Sequence, residues 1–273
     1  MTNSLMTSKR FAPLFWTQFL SAFNDNFLKN ALVFLILFQV ADGSAALISL
    51  AGAVFISPFL FLSALGGQIA DRCDKAMVAR KLKLAEIGGA VLAVAGMAFQ
   101  SIPVLFAALF VFGTVSALFS PVKYGILPDH LEPEELPRAN AWIEAGTFLS
   151  ILGGTISAGL LFAQGQVALT FAPVMLALAV GCYLISRKIP STRVAAPDLK
   201  ADWNVLKSTW DILADLVRDS RLFKVALMSS WFWLVGAVVM SVLPVIVKDV
   251  MGGGETAVTF FLTVFAVSIG IGS

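Results

Sequence analysis

Long apolar segments separated by short charged loops constrain this sequence more than any other feature. Only 13% of its 273 residues are charged, 58% are hydrophobic, and the mean hydropathy is +0.87. A soluble domain carries about 25% charged residues because its surface faces water. The composition therefore excludes a soluble globular protein and a disordered chain, and a net charge of +2 does not indicate a nucleic-acid partner. It predicts a protein that crosses a membrane several times.

The apolar segments have the length that a spanning helix needs, which is about 20 residues. Period-2 alternation is absent, so the strands of a barrel are not indicated. Seven complete spans are predicted at Leu14–Val40, Leu47–Ala70, Leu84–Phe99, Ile102–Ser120, Ala141–Phe162, Val167–Ile185 and Leu222–Val247. An eighth begins near Thr256 and is still apolar at Ser273. We therefore predict an all-α, polytopic membrane protein.

A long polar segment divides the predicted spans into two groups. Residues 1–186 form a six-helix bundle, residues 187–221 a linker, and residues 222–273 the seventh span with the start of the eighth. Apolar side chains recur in the linker at a spacing of three or four residues, which predicts an amphipathic helix. They are Trp203, Leu206, Trp210, Leu213 and Val217. This helix either lies in the membrane interface or is a soluble connector packed on the protein, and the sequence leaves both open.

Basic residues are distributed unevenly between the predicted loops. If the spans alternate as predicted, all of the Lys and Arg residues except Lys29 and Lys248 fall on one side of the membrane. Lys29 lies within the first span, and Lys248 lies on the opposite side. Because basic residues concentrate in cytoplasmic loops, we expect the N-terminus to be cytoplasmic.

The first predicted span carries charged and amide side chains that are unusual at membrane depth. Its candidate binding residues are Gln18, Asn24, Asp25, Asn26 and Lys29. At about 100° per residue, Gln18, Asp25 and Lys29 share one face of the helix. Because a charge near mid-bilayer is costly, it indicates a functional site. We predict a substrate or ion site in which Asp25 is the anion and Lys29 the cation, which suits a zwitterionic headgroup. The alternative is an i,i+4 ion pair that neutralises itself.

A second polar group is predicted where the fourth and fifth spans meet the basic loops. Asn140 and Glu144 share a helix face with Thr147, and Lys123 is placed to pair with Glu144 across the intervening loop. We predict that Lys123, Asn140 and Glu144 contribute to the site. The alternative is that these side chains cap helices or extend to the interface. Glu86, at the start of the third span, is predicted to be interfacial.

The loop after the second span contains a motif with a proposed mechanical role. The residues of this candidate latch are Gly67, Asp71, Arg72, Lys75 and Arg80. A glycine allows neighbouring backbones to approach closely, and a carboxylate such as Asp71 can sit at a helix N-terminus or bind a cation. Making and breaking such contacts would bias two conformations. The alternative is a plain charged turn. With six spans, a linker and a second group of spans, this G-x-x-x-D-R motif resembles the major facilitator superfamily.

Two further segments resemble one branch of that superfamily, the bacterial lysophospholipid transporter family. They are residues 18–26, which read QFLSAFNDN, and residues 120–127, which read SPVKYGIL and are followed by Arg138-Ala139-Asn140 and Glu144-Ala145. In this family the first-helix Asp corresponds to Asp25 and the loop Lys to Lys123. Some members have an Arg where this chain has Met240, which weakens the case for a phosphate contact there.

This resemblance implies a flippase of the bacterial inner membrane. Such a protein moves lysophospholipids, chiefly lysophosphatidylethanolamine, to the inner leaflet by alternating access of two helical bundles. An acyltransferase, separate or fused, then restores the second acyl chain. The family has twelve spans, so we expect the sequence to be the N-terminal two-thirds of a longer product.

Features of an enzyme or of a cofactor site are not indicated by the sequence. The acyltransferases of this pathway use H-x-x-x-x-D, whereas His130 is followed five residues later by Glu135. Cys73 and Cys182 have no CxxC spacing, so no metal site is predicted. Two other interpretations remain: a membrane scaffold for a fused lipid-remodelling enzyme, and a facilitator for a small water-soluble solute.

Overall fold

The computed structural model describes residues 5–39, 45–163, 167–199, 202 and 204–272, and in these ranges it contains helices and loops without a strand. Its α-helices are α1 (Ala12–Gln39), α2 (Ala45–Arg72), α3 (Lys75–Ala98), α4 (Ile102–His130), α5 (Leu136–Ala163), α6 (Val167–Ser186), α7 (Val205–Arg218), α8 (Ser220–Val245) and α9 (Glu255–Gly272). A π turn at Ile246–Val250 extends α8. The predicted all-α class is confirmed.

Several of these helices can cross a membrane by length and composition. Within the described ranges four helical segments meet both requirements, namely Ala46–Arg72, Ile102–His130, Leu136–Ala163 and Ser220–Val250. Thr170–Ser186 and Glu255–Phe265 are shorter apolar helices. The remaining long helices, α1 and α3, carry buried charged side chains that lower their hydropathy. The chain is therefore a polytopic helical membrane protein, as predicted.

Helix ends extend beyond the apolar runs from which they were predicted. Helix α3 begins at Lys75 rather than Leu84, and α4 continues past Ser120 to His130. The first turn of α3 is stabilised because the Asp74 carboxylate accepts a hydrogen bond of 2.9 Å from the Ala76 N–H. In the added part of α3, Lys75 and Lys83 are buried by packing against other helices, which hydropathy alone does not predict.

Helix α1 lies at the centre of the first bundle, packed against α4, α5 and α6, while α2 and α3 pack against α4. The crossing of α1 and α5 is close because small residues line α5. A Cβ atom at Gly154 would lie only 2.7 Å from the Phe23 carbonyl oxygen, and one at Gly146 only 2.8 Å from the Phe15 ring. This crossing places the polar face of α1 beside α5.

Two apolar cores connect the helices at opposite ends of the bundle. We call the end that carries the α2–α3 junction and the end of α6 the linker end, and the opposite one the far end. The far-end core includes Phe34 and Phe162 of the first bundle together with Val247, Val258 and Leu262 of the second group. The linker-end core, among the described residues, takes no side chain from α8 or α9. The two groups of helices are thus held together at the far end.

Helix α7 is amphipathic, and its apolar face is uncovered within the described chain. Leu206, Trp210 and Val217 are 68%, 71% and 58% exposed. The helix contacts α2 through a different face, where Ser208 is buried and its hydroxyl accepts a hydrogen bond of 3.1 Å from the Gln68 amide. Trp203, which was predicted to start the apolar stripe, lies outside the described residues.

Candidate binding cavity

A cavity of about 890 Å³ lies between α1, α2, α4, α5 and α8. Ligand pockets in proteins are typically about 300–1,000 Å³, so it has room for a molecule of drug size. Six of the predicted binding residues line it, and they are Gln18, Asp25, Asn26, Lys29, Lys123 and Glu144. The α1 stripe and the α4–α5 group, which are far apart in sequence, therefore share one cavity.

The other two predicted binding residues do not line this cavity. Asn24 is fully buried on the side of α1 that faces α6, where its amide donates a hydrogen bond of 3.2 Å to the Met175 carbonyl oxygen. Asn140 is exposed near the start of α5. Asn24 points away from its neighbour Asp25 because consecutive residues on a helix are separated by about 100°.

Asp25 is buried in the wall of the cavity and is only 6% exposed. Its Oδ2 atom accepts a hydrogen bond of 2.6 Å from the Ser116 hydroxyl, while Oδ1 is buried without a hydrogen bond. The ammonium of Lys29 donates instead to the Asn26 amide oxygen at 3.1 Å and lies 5.8 Å from the centre of the Phe55 ring. The alternative of a self-neutralising Asp25–Lys29 ion pair is therefore wrong.

Lys123 and Glu144 face the same cavity without forming the predicted pair. Glu144 accepts a hydrogen bond from the Tyr124 hydroxyl, and the Lys123 ammonium lies 4.8 Å from the centre of the Tyr124 ring. Within the described chain, neither Lys29 nor Lys123 forms an ion pair with a carboxylate. The cavity thus presents two ammonium groups that are available to an anionic ligand.

Lys83 and Glu86 are fully buried, although one was predicted in a basic loop and the other at the interface. The predicted loop position of Lys83 is wrong, because α3 begins before Lys83 and turns both residues inward. The Lys83 ammonium lies 2.8 Å from Glu86 Oε2, 2.5 Å from Ser21 Oγ and 4.1 Å from the centre of the Phe119 ring. Sequence spacing could have located them, because they continue a stripe of buried residues three and four apart. That stripe is Ala76, Ala79, Lys83, Glu86, Ala90, Ala93 and Met97.

The candidate latch residues lie together at the linker end, but their individual roles differ from those predicted. A Cβ atom at Gly67 would contact nothing within 4 Å, whereas one at Gly66 would lie 2.9 Å from the Pro121 ring. The close approach of α2 and α4 therefore occurs at Gly66, one residue before the predicted glycine. Asp71 and Arg72 are exposed at the end of α2. The carboxylate that caps α3 is Asp74, and not Asp71.

The start of the linker is bound to this latch loop. The Asp74 carboxylate accepts hydrogen bonds from the Thr192 backbone N–H at 3.0 Å and from its hydroxyl at 3.1 Å. Burial by itself raises the pKa of Asp74, but the hydrogen bonds from Thr192 and Ala76 outweigh burial and lower the pKa below its ordinary value. The Ala196 N–H also donates to the Asp71 carbonyl oxygen at 2.8 Å.

Lys75 and Arg80 are occupied by contacts on the same side of the bundle. The Lys75 ammonium pairs with Asp129 of α4 at 2.8 Å. The Arg80 guanidinium donates to the Ile189 carbonyl oxygen at 2.7 Å. These contacts join α3 to α4 and to the linker, so the first bundle and the linker form one connected unit at this end.

A family comparison places this arrangement in a known class of membrane protein. The family model described as Major Facilitator Superfamily matches residues 14–273. The chain belongs to the major facilitator superfamily. By family it is therefore a multi-pass membrane protein, and Gly67, Asp71 and Arg72 stand in the G-x-x-x-D-R motif that the sequence indicated.

Similar proteins within the superfamily include curated relatives with a common name. The chain is 31% identical over its whole length to a "Lysophospholipid transporter LplT" of Serratia proteamaculans. It is also 31% identical, over 99% of its length, to the protein of the same name in Escherichia fergusonii. The chain spans 66% of the length of each of these relatives.

Solved structures support the superfamily fold. The POT family transporter PepTSo superposes with a TM-score of 0.57 at 15% identity, which covers 95% of this chain and 52% of the transporter. A peptide transporter POT in complex with sulfate superposes with a TM-score of 0.51 at 20% identity, covering 88% of this chain and 51% of the transporter. At these identities the likeness concerns the fold alone.

Proposed function

We propose that this chain is part of a lysophospholipid transporter that moves such lipids to the inner leaflet of the bacterial inner membrane. The observation that carries the proposal is the division of the cavity into two unlike walls. Polar and charged side chains of α1, α4 and α5 form one wall. The apolar wall on α2 and α8 comprises Phe55, Ile56, Phe59, Phe232 and Trp233. A lysophospholipid has a charged headgroup and a single acyl chain, and therefore matches both walls.

The charged wall suits a zwitterionic headgroup. Asp25 offers an oxygen without a hydrogen bond, which is suited to an ammonium group. Lys29 and Lys123 offer ammonium groups without a carboxylate partner within the described chain, and these are suited to a phosphate. Gln18, Asn26 and Glu144 complete the polar wall. The names of the curated relatives agree with a ligand of this class.

Transport requires two bundles that move around a site near the middle of the membrane. The far-end core joins α8 and α9 to the first bundle, while the linker-end core takes no side chain from α8 or α9 among the described residues. We assign the linker end to the cytoplasm because the basic loops lie there. In this scheme Asp71 and Arg72 are the exposed members of the latch. Lys75 and Arg80 connect α3 to α4 and to the linker.

Transported lysophospholipid needs an acyltransferase that restores its second chain. We assign this step to a separate protein or to a further domain of the same product, in keeping with the resemblance. A scaffold role for the chain would not need an amphipathic cavity. A facilitator for a small water-soluble solute would not need the aromatic wall on α2 and α8.

Uptake by spheroplasts that carry the full-length gene tests this function. Labelled lysophosphatidylethanolamine is supplied to spheroplasts with the wild type, Asp25→Asn or the exposed control Glu134→Gln. We expect uptake with the wild type and the control, and a loss of at least about tenfold with Asp25→Asn at equal amounts of inserted protein, since that variant lacks the charge that binds the headgroup ammonium. Absence of uptake by an inserted wild-type protein would overturn the proposal and favour the scaffold or the solute facilitator.

A further inference from the structure

Two buried carboxylates and one buried ammonium group meet where α1, α3 and α4 pack together. Lys83 and Glu86 are fully buried, and Asp25 is 6% exposed. Ser21, one turn before Asp25 on α1, donates a hydrogen bond of 2.8 Å to Glu86 Oε2. The cluster of Asp25, Lys83 and Glu86 therefore contains two carboxylates and one ammonium group, all of them buried.

Lys83 neutralises only one of the two carboxylates. Its ammonium is 2.8 Å from Glu86, and its other close contacts are the Ser21 hydroxyl and the Phe119 ring. Among the described residues, Asp25 receives one hydrogen bond, from the neutral Ser116 hydroxyl. A buried carboxylate without a cationic partner is costly, and it is stabilised by pairing or by neutralisation.

Two carboxylate oxygens of this cluster are acceptors that a proton or a cationic ligand could satisfy. Asp25 Oδ1 and Glu86 Oε1 are both buried and have no hydrogen bond within the described structure. An ionised carboxylate can accept about four hydrogen bonds, whereas a protonated one also carries a donor. A proton on this pair would reduce the negative charge and supply that donor.

Further charged and titratable groups lie around Asp25 or line the same cavity. Lys29 lies on the same helix, Lys123 on α4, Glu144 on α5 and Cys182 on α6, in addition to Lys83 and Glu86 on α3. Lys29 is directed to the Asn26 amide and Lys123 to the Tyr124 ring. Among the described residues, Asp25 forms no ion pair with either of them.

We propose that Asp25 and Glu86, together with Lys83, form a proton-binding site that holds one exchangeable proton when the cavity is empty. The proton adds to a carboxylate oxygen from water in the cavity, which Asp25 lines, and returns to that water when it leaves. No other bond is made or broken. Proton exchange at intramembrane carboxylates is a general use of such residues.

The site has a consequence for transport, which rests on the proposed function. A headgroup ammonium that binds Asp25 replaces the proton as the compensating charge. One proton is therefore released for each cationic headgroup bound, and a lysophospholipid without an ammonium group releases none. Uptake of lysophosphatidylethanolamine then weakens as the pH falls, because protons compete for Asp25.

Infrared difference spectroscopy of the full-length protein in lipid nanodiscs counts protonated carboxyl groups directly. In a pH titration above the range in which ordinary carboxyl groups protonate, we expect one exchangeable carboxyl band in the wild type and none in Asp25→Asn. We expect none in Glu86→Gln as well, because Lys83 is then free to pair with Asp25. Lys83→Met leaves both carboxylates without their cation and is expected to show two, while the exposed control Glu134→Gln matches the wild type.

The outcomes separate this proposal from the proposed function. A wild type without an exchangeable carboxyl band, or a band that persists in Asp25→Asn, overturns the proton site whatever uptake shows. A band that follows the predicted series while lysophosphatidylethanolamine releases no proton supports the site and overturns its link to the headgroup. If Lys83→Met does not fold, the near-isosteric variants Asp25→Asn and Glu86→Gln still decide the question.

Discussion

At the scale of single residues, the cavity is defined by charges that lack an opposite partner within the described chain. Lys29 and Lys123 contact aromatic rings rather than carboxylates, and Asp25 contacts a serine hydroxyl. Salt bridges in the described chain lie elsewhere, for example between Lys75 and Asp129. Charges held in a partly dry cavity without partners interact strongly with a charged ligand.

We expect Lys123→Met to raise the apparent KM for lysophospholipid about tenfold or more while protein insertion is unchanged. The reason is the loss of a charge-assisted contact to phosphate, which contributes about 1.5–3 kcal/mol. Initial uptake rates over a range of lipid concentrations measure the effect. Lys123→Arg should retain most of the affinity, and the exposed Lys81→Met is the matched control. An unchanged KM for Lys123→Met would remove this residue from the site.

A second residue-scale prediction concerns the pH dependence of the linker contact at Asp74. Because the folded-state pKa of Asp74 is lowered, its stabilising effect is present above the unfolded pKa, about 3.9, and is lost as the pH falls through the folded pKa. We expect hydrogen exchange of residues 189–196 to accelerate roughly fivefold in Asp74→Ala at neutral pH, in line with the loss of about 1 kcal/mol from a helix cap.

The same Asp74→Ala substitution should make the linker contact insensitive to acid. In the wild type, exchange of residues 189–196 should approach the variant's rate only at pH values below about 4. The control is Asp211→Asn, which changes an exposed carboxylate on α7 and should leave the exchange of these residues at the wild-type rate. Equal exchange in wild type and Asp74→Ala at neutral pH would show that Asp74 does not hold the linker.

At the scale of helices, apolar runs predicted which segments are helical but not where each one ends. The predicted Leu84 start of α3 followed hydropathy, whereas the helix actually begins at Lys75 after the Asp74 cap. Lys83 was misplaced for the same reason, since burial of its ion pair depends on the facing Ser21 and Phe119 of other helices. The polar face of α1 was predictable because it depends on helical spacing alone.

The α1–α5 crossing provides a test at this scale. We expect Gly154→Val to lower the stability of the folded protein by about 1–3 kcal/mol, because its side chain would enter the Phe23 backbone. Thermal unfolding of the detergent-solubilised full-length protein measures this change. Gly181→Val on α6 is the matched control, since a Cβ there meets nothing within 4 Å. Equal melting temperatures for the two variants would contradict the close crossing.

Helix α7 provides a second test. Because its apolar stripe is exposed, we expect α7 to lie in the membrane interface, with Leu213 toward lipid and Asp211 toward water. Single cysteines at these two positions, in a background without Cys73 and Cys182, are exposed to a membrane-impermeant maleimide in inside-out vesicles. We expect Asp211→Cys to react and Leu213→Cys to be protected. Equal reaction would favour a connector surrounded by water.

At the scale of the whole molecule, the described helices form a six-helix bundle to which α8 and α9 attach at the far end. The superfamily membership and the order of spans could be predicted from hydropathy and the loop motif. The joint cavity could not, because it forms only when α8 closes over α1 and α5, as in the stacking of Trp233 on Phe148 with ring centres 5.9 Å apart. Contacts between distant segments have no local signature in sequence.

We expect a lysophospholipid to occupy the cavity between the polar wall of α1 and the aromatic wall of α2 and α8. The most direct measurement is photo-crosslinking of the full-length protein with lysophosphatidylethanolamine that carries a photoreactive group on its acyl chain, followed by peptide mapping. We predict crosslinks at Phe55, Phe59 and Phe232, which excess unlabelled lysophosphatidylethanolamine suppresses. Crosslinks confined to outward-facing residues such as Leu60 and Phe61, without such competition, would contradict the account.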